Sequence, residues 1–141
     1  MEDLEAPRAA PRERKLVECP LLVSLVDELG LEPVIRCIDS FTRMWGGRCE
    51  RLERAVVERD ADAGMDAALS LKSGAAMLGA LPLASLAQEM HAAARAAGCT
   101  GLWTPAERLL TTLQGLGSAT AVELDAIATR EGGDYRGSAA R

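Results

Sequence analysis

The sequence predicts an all-α protein, an antiparallel four-helix bundle with a short extra N-terminal helix. Apolar residues recur three or four positions apart in five segments, which is the spacing of one face of an α-helix. The chain is 48% hydrophobic but only 3% aromatic, so the core must be built from Leu, Val, Ile, Met and Ala, a palette that favours helices over sheets. Short connections between the segments are typical of helices that pack antiparallel.

The 141 residues are expected to form one domain with two flexible ends. Residues 1–14 alternate charged residues with prolines and contain no apolar run, which predicts a flexible arm rather than a signal peptide or a membrane span. Residues 15–130 contain the helical segments and are assigned to the bundle. Residues 131–141 are polar and rich in glycine, and they are expected to form a flexible tail. The protein is expected to be cytoplasmic.

A glycine and a proline delimit the first two helices. Residues 16–29 are predicted to form a short helix that ends before Gly30. Pro33 suits the first turn of a long second helix that runs to about Asp60. One continuous core-facing stripe follows along this helix: Val34, Ile38, Phe41, Trp45, Cys49, Leu52 and Val56. Gly46 and Gly47 interrupt it and predict a local bend.

Glycines also mark the ends of the third and fourth helices. The third helix is predicted over about residues 62–78 and the fourth over residues 82–97. Gly79 and Gly98 follow these segments and are expected to act as stop signals.

The fifth helix has a recognisable beginning. Thr104 is expected to be its N-cap, Pro105 its first-turn proline and Glu107 its capping-box acid. One face of this helix carries Leu109, Leu113, Leu116, Thr120, Leu124 and Ile127. Gly115 and Gly117 are expected to fray its middle.

The third helix has a buried face and an unusual outward face. At about 100° per residue, one narrow sector contains Gly64, Ala68, Leu71, Ala75 and Leu78. Leu69 lies about 160° from Leu71, on the opposite side. Four residues surround Leu69 on that side: Met65, Lys72, Ser73 and Ala76. The small residues among them would let the backbone of a partner approach closely.

Residues 68–80, ALSLKSGAAMLGA, resemble the central helix of histidine-containing phosphotransfer (HPt) domains. The family pattern there is approximately A-H-x-L-K-G-S-A-x-x-L-G-A, and the resemblance extends over about residues 21–124. The phosphorylated histidine of the family falls on Leu69, and Lys72 matches the lysine that neutralises the phosphate charge. Ser73 and Gly74 reverse the usual order of the small pair. Because leucine cannot accept a phosphoryl group, the resemblance implies an HPt fold without HPt chemistry.

The resemblance implies a binding module rather than an enzyme. HPt domains dock response-regulator receiver domains and histidine kinases of two-component phosphorelays, so such a partner is expected here. The expected partner-binding face consists of Leu69, Lys72, Ser73, Met65 and Ala76. No catalytic residue, metal ion or cofactor is expected.

Active phosphotransfer by a different residue is a first alternative. His91 is the single histidine, but it lies in the fourth helix, 22 residues after Leu69. Ser70 is adjacent to Leu69 in the sequence but turned by about 100° around the helix, and a serine phosphoester is a poor donor for transfer to an aspartate.

A structural or dimerisation bundle is a second alternative. The second helix carries three apolar residues outside its main stripe, namely Ile35, Met44 and Val57. An unpartnered apolar strip of this kind leaves room for a homodimer.

Charge and composition exclude most other classes of protein. A net charge of -5 and a pI near 4.9 make the chain a poor binder of nucleic acid. One histidine excludes multi-histidine metal sites, and no CxxC pattern occurs among Cys19, Cys37, Cys49 and Cys99. These cysteines are expected to be reduced and packed as small hydrophobes. Three acids near the start of the third helix, Asp60, Asp62 and Asp66, are expected to stabilise its N-terminus rather than to bind a cation.

Overall fold

Five α-helices make up the part of the chain that the structure, a computed structural model, describes. The backbone is described for residues 15–139 and the side chains for residues 15–131, so the arm expected over residues 1–14 lies outside it. The helices are α1 (Cys19–Leu29), α2 (Leu31–Val57), α3 (Ala61–Met77), α4 (Leu81–Thr100) and α5 (Thr104–Ala139). The predicted all-α fold class is confirmed. None of these helices combines the length and the apolarity that crossing a membrane requires.

The last four helices form a closed ring. Helix α3 packs on α2 and α4, and α5 packs on the same two helices from the other side. Helices α3 and α5 therefore occupy opposite corners of the bundle, while α1 packs on α2. The largest fully buried side chains come from α2, α4, α5 and the turn after α3: Val34, Ile38, Leu52, Leu78, Leu83, Met90, Leu113, Thr120 and Leu124. The core is therefore aliphatic, as the composition predicts.

The turn between α3 and α4 is tied to the start of α1. Gly79 adopts a φ of +78°, a left-handed conformation that favours glycine. Its carbonyl accepts a hydrogen bond of 2.8 Å from the backbone N–H of Glu18. A Cβ atom on Gly79 would lie 3.0 Å from the carbonyl oxygen of Glu18, so the contact also needs a residue without a side chain. The stop signal predicted at Gly79 is confirmed.

A tryptophan fills the seam between α2 and α5. The indole Nε1 of Trp45 donates a hydrogen bond of 3.2 Å to Ser118 Oγ. A Cβ atom on Gly117 would lie 1.8 Å from the Trp45 ring, so only glycine fits beneath it. The fraying expected at Gly115 and Gly117 was wrong, because α5 is continuous through both and the gap at Gly117 is filled by the ring. Helix α2 is likewise unbroken across Gly46 and Gly47.

The end of α4 also differs from the prediction. Gly98 lies inside α4, which ends at Thr100, and the left-handed residue after the helix is Gly101 with a φ of +78°. Gly98 instead allows a close helix contact, since a Cβ atom there would lie 2.7 Å from Ala61 Cβ. The stop signal predicted at Gly98 was therefore wrong.

Both ends of α5 differ from the sequence pattern. The helix begins at Thr104, and Trp103 precedes it. The carboxylate of Glu107 accepts a hydrogen bond of 2.8 Å from Arg59 Nη1. The acid expected in a capping box thus pairs with the turn between α2 and α3. At the other end, the tail expected over residues 131–141 overlaps the helix, whose backbone is helical to Ala139. Glycine lowers helix stability by about 1 kcal/mol but does not forbid a helix.

Two further expectations need correction. Ile35 is only 2% exposed and belongs to the core, so it contributes nothing to the apolar strip on which the dimerisation alternative depends. Cys37 and Cys49 pack partly buried against the core, as expected. Cys19 and Cys99 are exposed, so the expectation that they pack as small hydrophobes was wrong for these two.

Candidate docking site on the third ring helix

Helix α3 carries the candidate site, and its first turn is well defined by its sequence. Asp60 is the N-cap, and its Oδ1 accepts a hydrogen bond of 3.0 Å from the backbone N–H of Ala63. Asp62 adds an acid in the first turn, where the helix dipole favours negative charge. Within residues 15–131, no group of three or more His, Cys, Asp or Glu residues is arranged to hold a metal ion. The interpretation of Asp60 as a helix-terminal acid is confirmed.

Small residues fix the rotation of α3 against α4. The predicted inward face is buried throughout: Gly64, Ala68, Leu71, Ala75 and, just after the helix, Leu78. A Cβ atom on Gly64 would lie 3.3 Å from Ala94 Cβ, so the two helices approach closely at this point. A helix held this closely cannot turn about its axis, which determines the residues that face solvent.

The outward side of α3 presents the five residues that the wheel places there. We call Met65, Leu69, Lys72, Ser73 and Ala76 the α3 ridge. Leu69 is 41% exposed, and Ser73 and Ala76 are also exposed. Met65 and Lys72 are half-buried. The five side chains therefore share one accessible surface, with the leucine near its centre.

The side chain of Lys72 extends from the ridge towards α4. Its Nζ donates a hydrogen bond of 2.7 Å to Oε1 of Gln88. The ammonium group is held beside the leucine instead of moving freely in solvent. This places one positive charge on the α4 side of the ridge.

His91 lies level with Leu69 on the neighbouring helix. Helices α3 and α4 run antiparallel, with Lys72 opposite Gln88, while Met65 and Arg95 line one cavity nearer the start of α3. His91 is one turn after Gln88 and one turn before Arg95, so it faces the turn of α3 that contains Leu69. It is half-buried. Sequence reasoning placed His91 on another helix but missed this register, because only the packing of the two helices sets it.

A groove borders the ridge on the side of α2. We call it the α2–α3 groove; Ser40, Met44 and Arg48 line it from α2, and Gly74 and Met77 line it from α3. The sequence analysis missed it, except for Met44, which was assigned to a dimer strip. Helical periodicity on α2 alone does not reveal which of its residues flank α3.

A protein-family comparison places this architecture in a known class. The family model named Hpt domain matches residues 37–119. These residues include most of α2, all of α3 and α4 and the first part of α5, and they make up more than half of the chain. The chain belongs to the Hpt domain family, whose members interact with response regulators and histidine kinases in phosphorelays.

A solved structure gives a specific likeness. The chain is similar to histidine-containing phosphotransfer protein B (HptB) from Pseudomonas aeruginosa PAO1, with a TM-score of 0.74. The match covers 84% of this chain and 98% of that one, at 21% sequence identity. At this identity the likeness establishes the helical bundle fold. No curated protein sequence matches the chain.

Proposed function

We propose that this chain is a pseudo-HPt module that acts in the cytoplasm. It docks a receiver domain, or a histidine kinase, of a two-component phosphorelay through the α3 ridge and carries no phosphoryl group itself. The observation that supports the proposal is the exposure of Leu69, the residue on which the phosphorylated histidine of the family falls in the resemblance of residues 68–80. A leucine side chain has no nucleophilic atom, so it cannot form a bond to phosphorus.

The ridge has the features of a contact surface. Leu69 is 41% exposed, so covering it with a partner buries the remaining apolar area and contributes about 1 kcal/mol. Ser73 and Ala76 beside it are small, and they allow a partner helix or loop to approach closely. Lys72 adds a charge that is already oriented by Gln88. The ridge therefore has an apolar centre and a polar rim, a combination that is typical of a protein–protein interface.

A titration against purified receiver domains and histidine kinases from the same genome tests the proposal. We expect the unmodified chain to bind at least one of them, and Leu69→Asp to weaken that binding tenfold or more, since the apolar contact would be lost and a carboxylate would have to be desolvated in its place. Val122→Asp is the matched control, because Val122 is an exposed aliphatic residue on α5, at the opposite corner of the bundle. Unchanged binding by Leu69→Asp, or no binding by the unmodified chain, would contradict the proposal.

The register of His91 favours one second candidate, active phosphotransfer. An imidazole nitrogen of His91 would attack the phosphorus of an aspartyl phosphate on a docked receiver; the P–N bond would form as the P–O bond breaks, and the aspartate carboxylate would leave. His91 supports this candidate because it lies level with Leu69. An acid-labile phosphoryl label on the chain that is lost in His91→Ala is the result that this candidate predicts.

A further inference from the structure

The α2–α3 groove contains adaptable apolar side chains at its rim. Met44 on α2 and Met77 on α3 both line it, and each is 49% exposed. Methionine side chains are flexible and polarisable, and they are common on surfaces that bind proteins. Gly74, between them on the α3 wall, keeps the groove open.

Arg48 lies in this groove without an acceptor for part of its guanidinium group. Its Nε atom is buried and has no hydrogen-bond partner among the described residues. The other cation at the groove, Arg36, is already paired with Glu32 through an N–O contact of 2.6 Å. A buried donor without an acceptor is unfavourable, so the unpaired Nε marks a guanidinium group whose hydrogen-bonding capacity the described residues do not fill.

The charge of the groove is opposite to that of the chain. The net charge of the whole sequence is -5, yet the residues that line the groove include two arginines and no acid. Carboxylates form the strongest hydrogen bonds with guanidinium groups, because both partners are charged and the geometry matches. The complementary occupant is therefore an acidic side chain on an otherwise apolar surface.

We propose that a receiver domain docked on the α3 ridge places an acidic side chain in the α2–α3 groove, where its carboxylate accepts hydrogen bonds from Arg48. Its aliphatic stem packs between Met44 and Met77. Ser73 of the ridge and Gly74 of the groove are neighbours in the sequence, so one partner covers both surfaces. This inference rests on the proposed function, and it assigns Arg48 as a specificity-determining contact of the same partner.

Calorimetric titration of a receiver domain identified with the unmodified chain tests the assignment. Arg48→Met keeps an unbranched side chain in the groove but removes the charge, and we expect it to weaken binding about tenfold or more. Arg108→Met on α5 is the matched control, since it removes the same charge at the opposite corner of the bundle. We expect binding by the unmodified chain to weaken more steeply with salt than binding by Arg48→Met. Thermal unfolding followed by circular dichroism establishes that each variant is folded.

Each outcome separates this inference from the proposed function. Equal binding by Arg48→Met and Arg108→Met, with binding still lost in Leu69→Asp, would overturn the role of Arg48 and leave the docking function standing. If the unmodified chain bound no receiver domain, the groove inference would fail, and the proposed function would fail with it only if no histidine kinase bound either. Sedimentation that showed self-association dependent on Arg48 would assign the groove to a second copy of this chain and overturn the inference.

Discussion

We expect that Leu69 can be replaced without disturbing the fold, because its side chain is exposed. Its side chain is 41% exposed and lies on the side of α3 opposite the buried Leu71. Surface substitutions of this kind usually change the free energy of unfolding by about 0.5 kcal/mol or less. Binding and phosphotransfer measured on Leu69 variants therefore report on the site rather than on loss of structure.

Cys49 differs from the two exposed cysteines in its reactivity. Burial raises the pKa of the Cys49 thiol, and the negative charge of Glu53 raises it further. A raised pKa leaves a smaller thiolate fraction at any pH below it, and the thiolate is the reactive form. We expect iodoacetamide at mildly alkaline pH to alkylate Cys19 and Cys99 before Cys49, and the Cys49 rate to increase on raising the pH further. Peptide mapping by mass spectrometry measures the order; faster labelling of Cys49 would contradict it.

At the scale of elements, the seam between α2 and α5 depends on one glycine. Gly117→Ala would place a methyl group inside the Trp45 ring, so we expect it to lower the free energy of unfolding by about 3 kcal/mol. Gly115→Ala is the control, because a Cβ atom there meets nothing within 4 Å. We expect that control to raise the free energy of unfolding by about 0.5–1 kcal/mol, as alanine favours a helix interior. Urea unfolding measures the free energy of unfolding of both variants. Equal effects of the two substitutions would contradict the role of Gly117 in the contact with Trp45.

The helices themselves were largely predictable, and their contacts were not. Apolar spacing within one helix places Leu71 inside and Leu69 outside, because both positions depend only on the helical repeat. The roles of Gly98 and Gly117 depend instead on Ala61 and Trp45, which are far away in the sequence. A pattern read along the chain therefore treats both glycines as weaknesses of a helix, although each permits a tertiary contact.

At the scale of the whole molecule, the candidate site also combines features set within one helix with features set by the packing of several helices. The ridge could be predicted from the sequence because its residues lie on one helix. His91 and Arg48 could not be placed beside it, since their positions follow from how α4 and α2 pack on α3. The ring also sets α3 and α5 at opposite corners, so the ridge and the α2–α3 groove lie on the side of the bundle away from α5.

The central claim is that the molecule binds a phosphorelay partner without taking its phosphoryl group. The most direct measurement incubates the chain with a receiver domain that carries a labelled phosphoryl group on its aspartate. We expect no label on the unmodified chain, and acid-labile label on the Leu69→His variant, because the substitution supplies an imidazole at the position that the sequence resemblance aligns with the histidine of the family. Acid-labile label on the unmodified chain that disappears in His91→Ala would contradict the account.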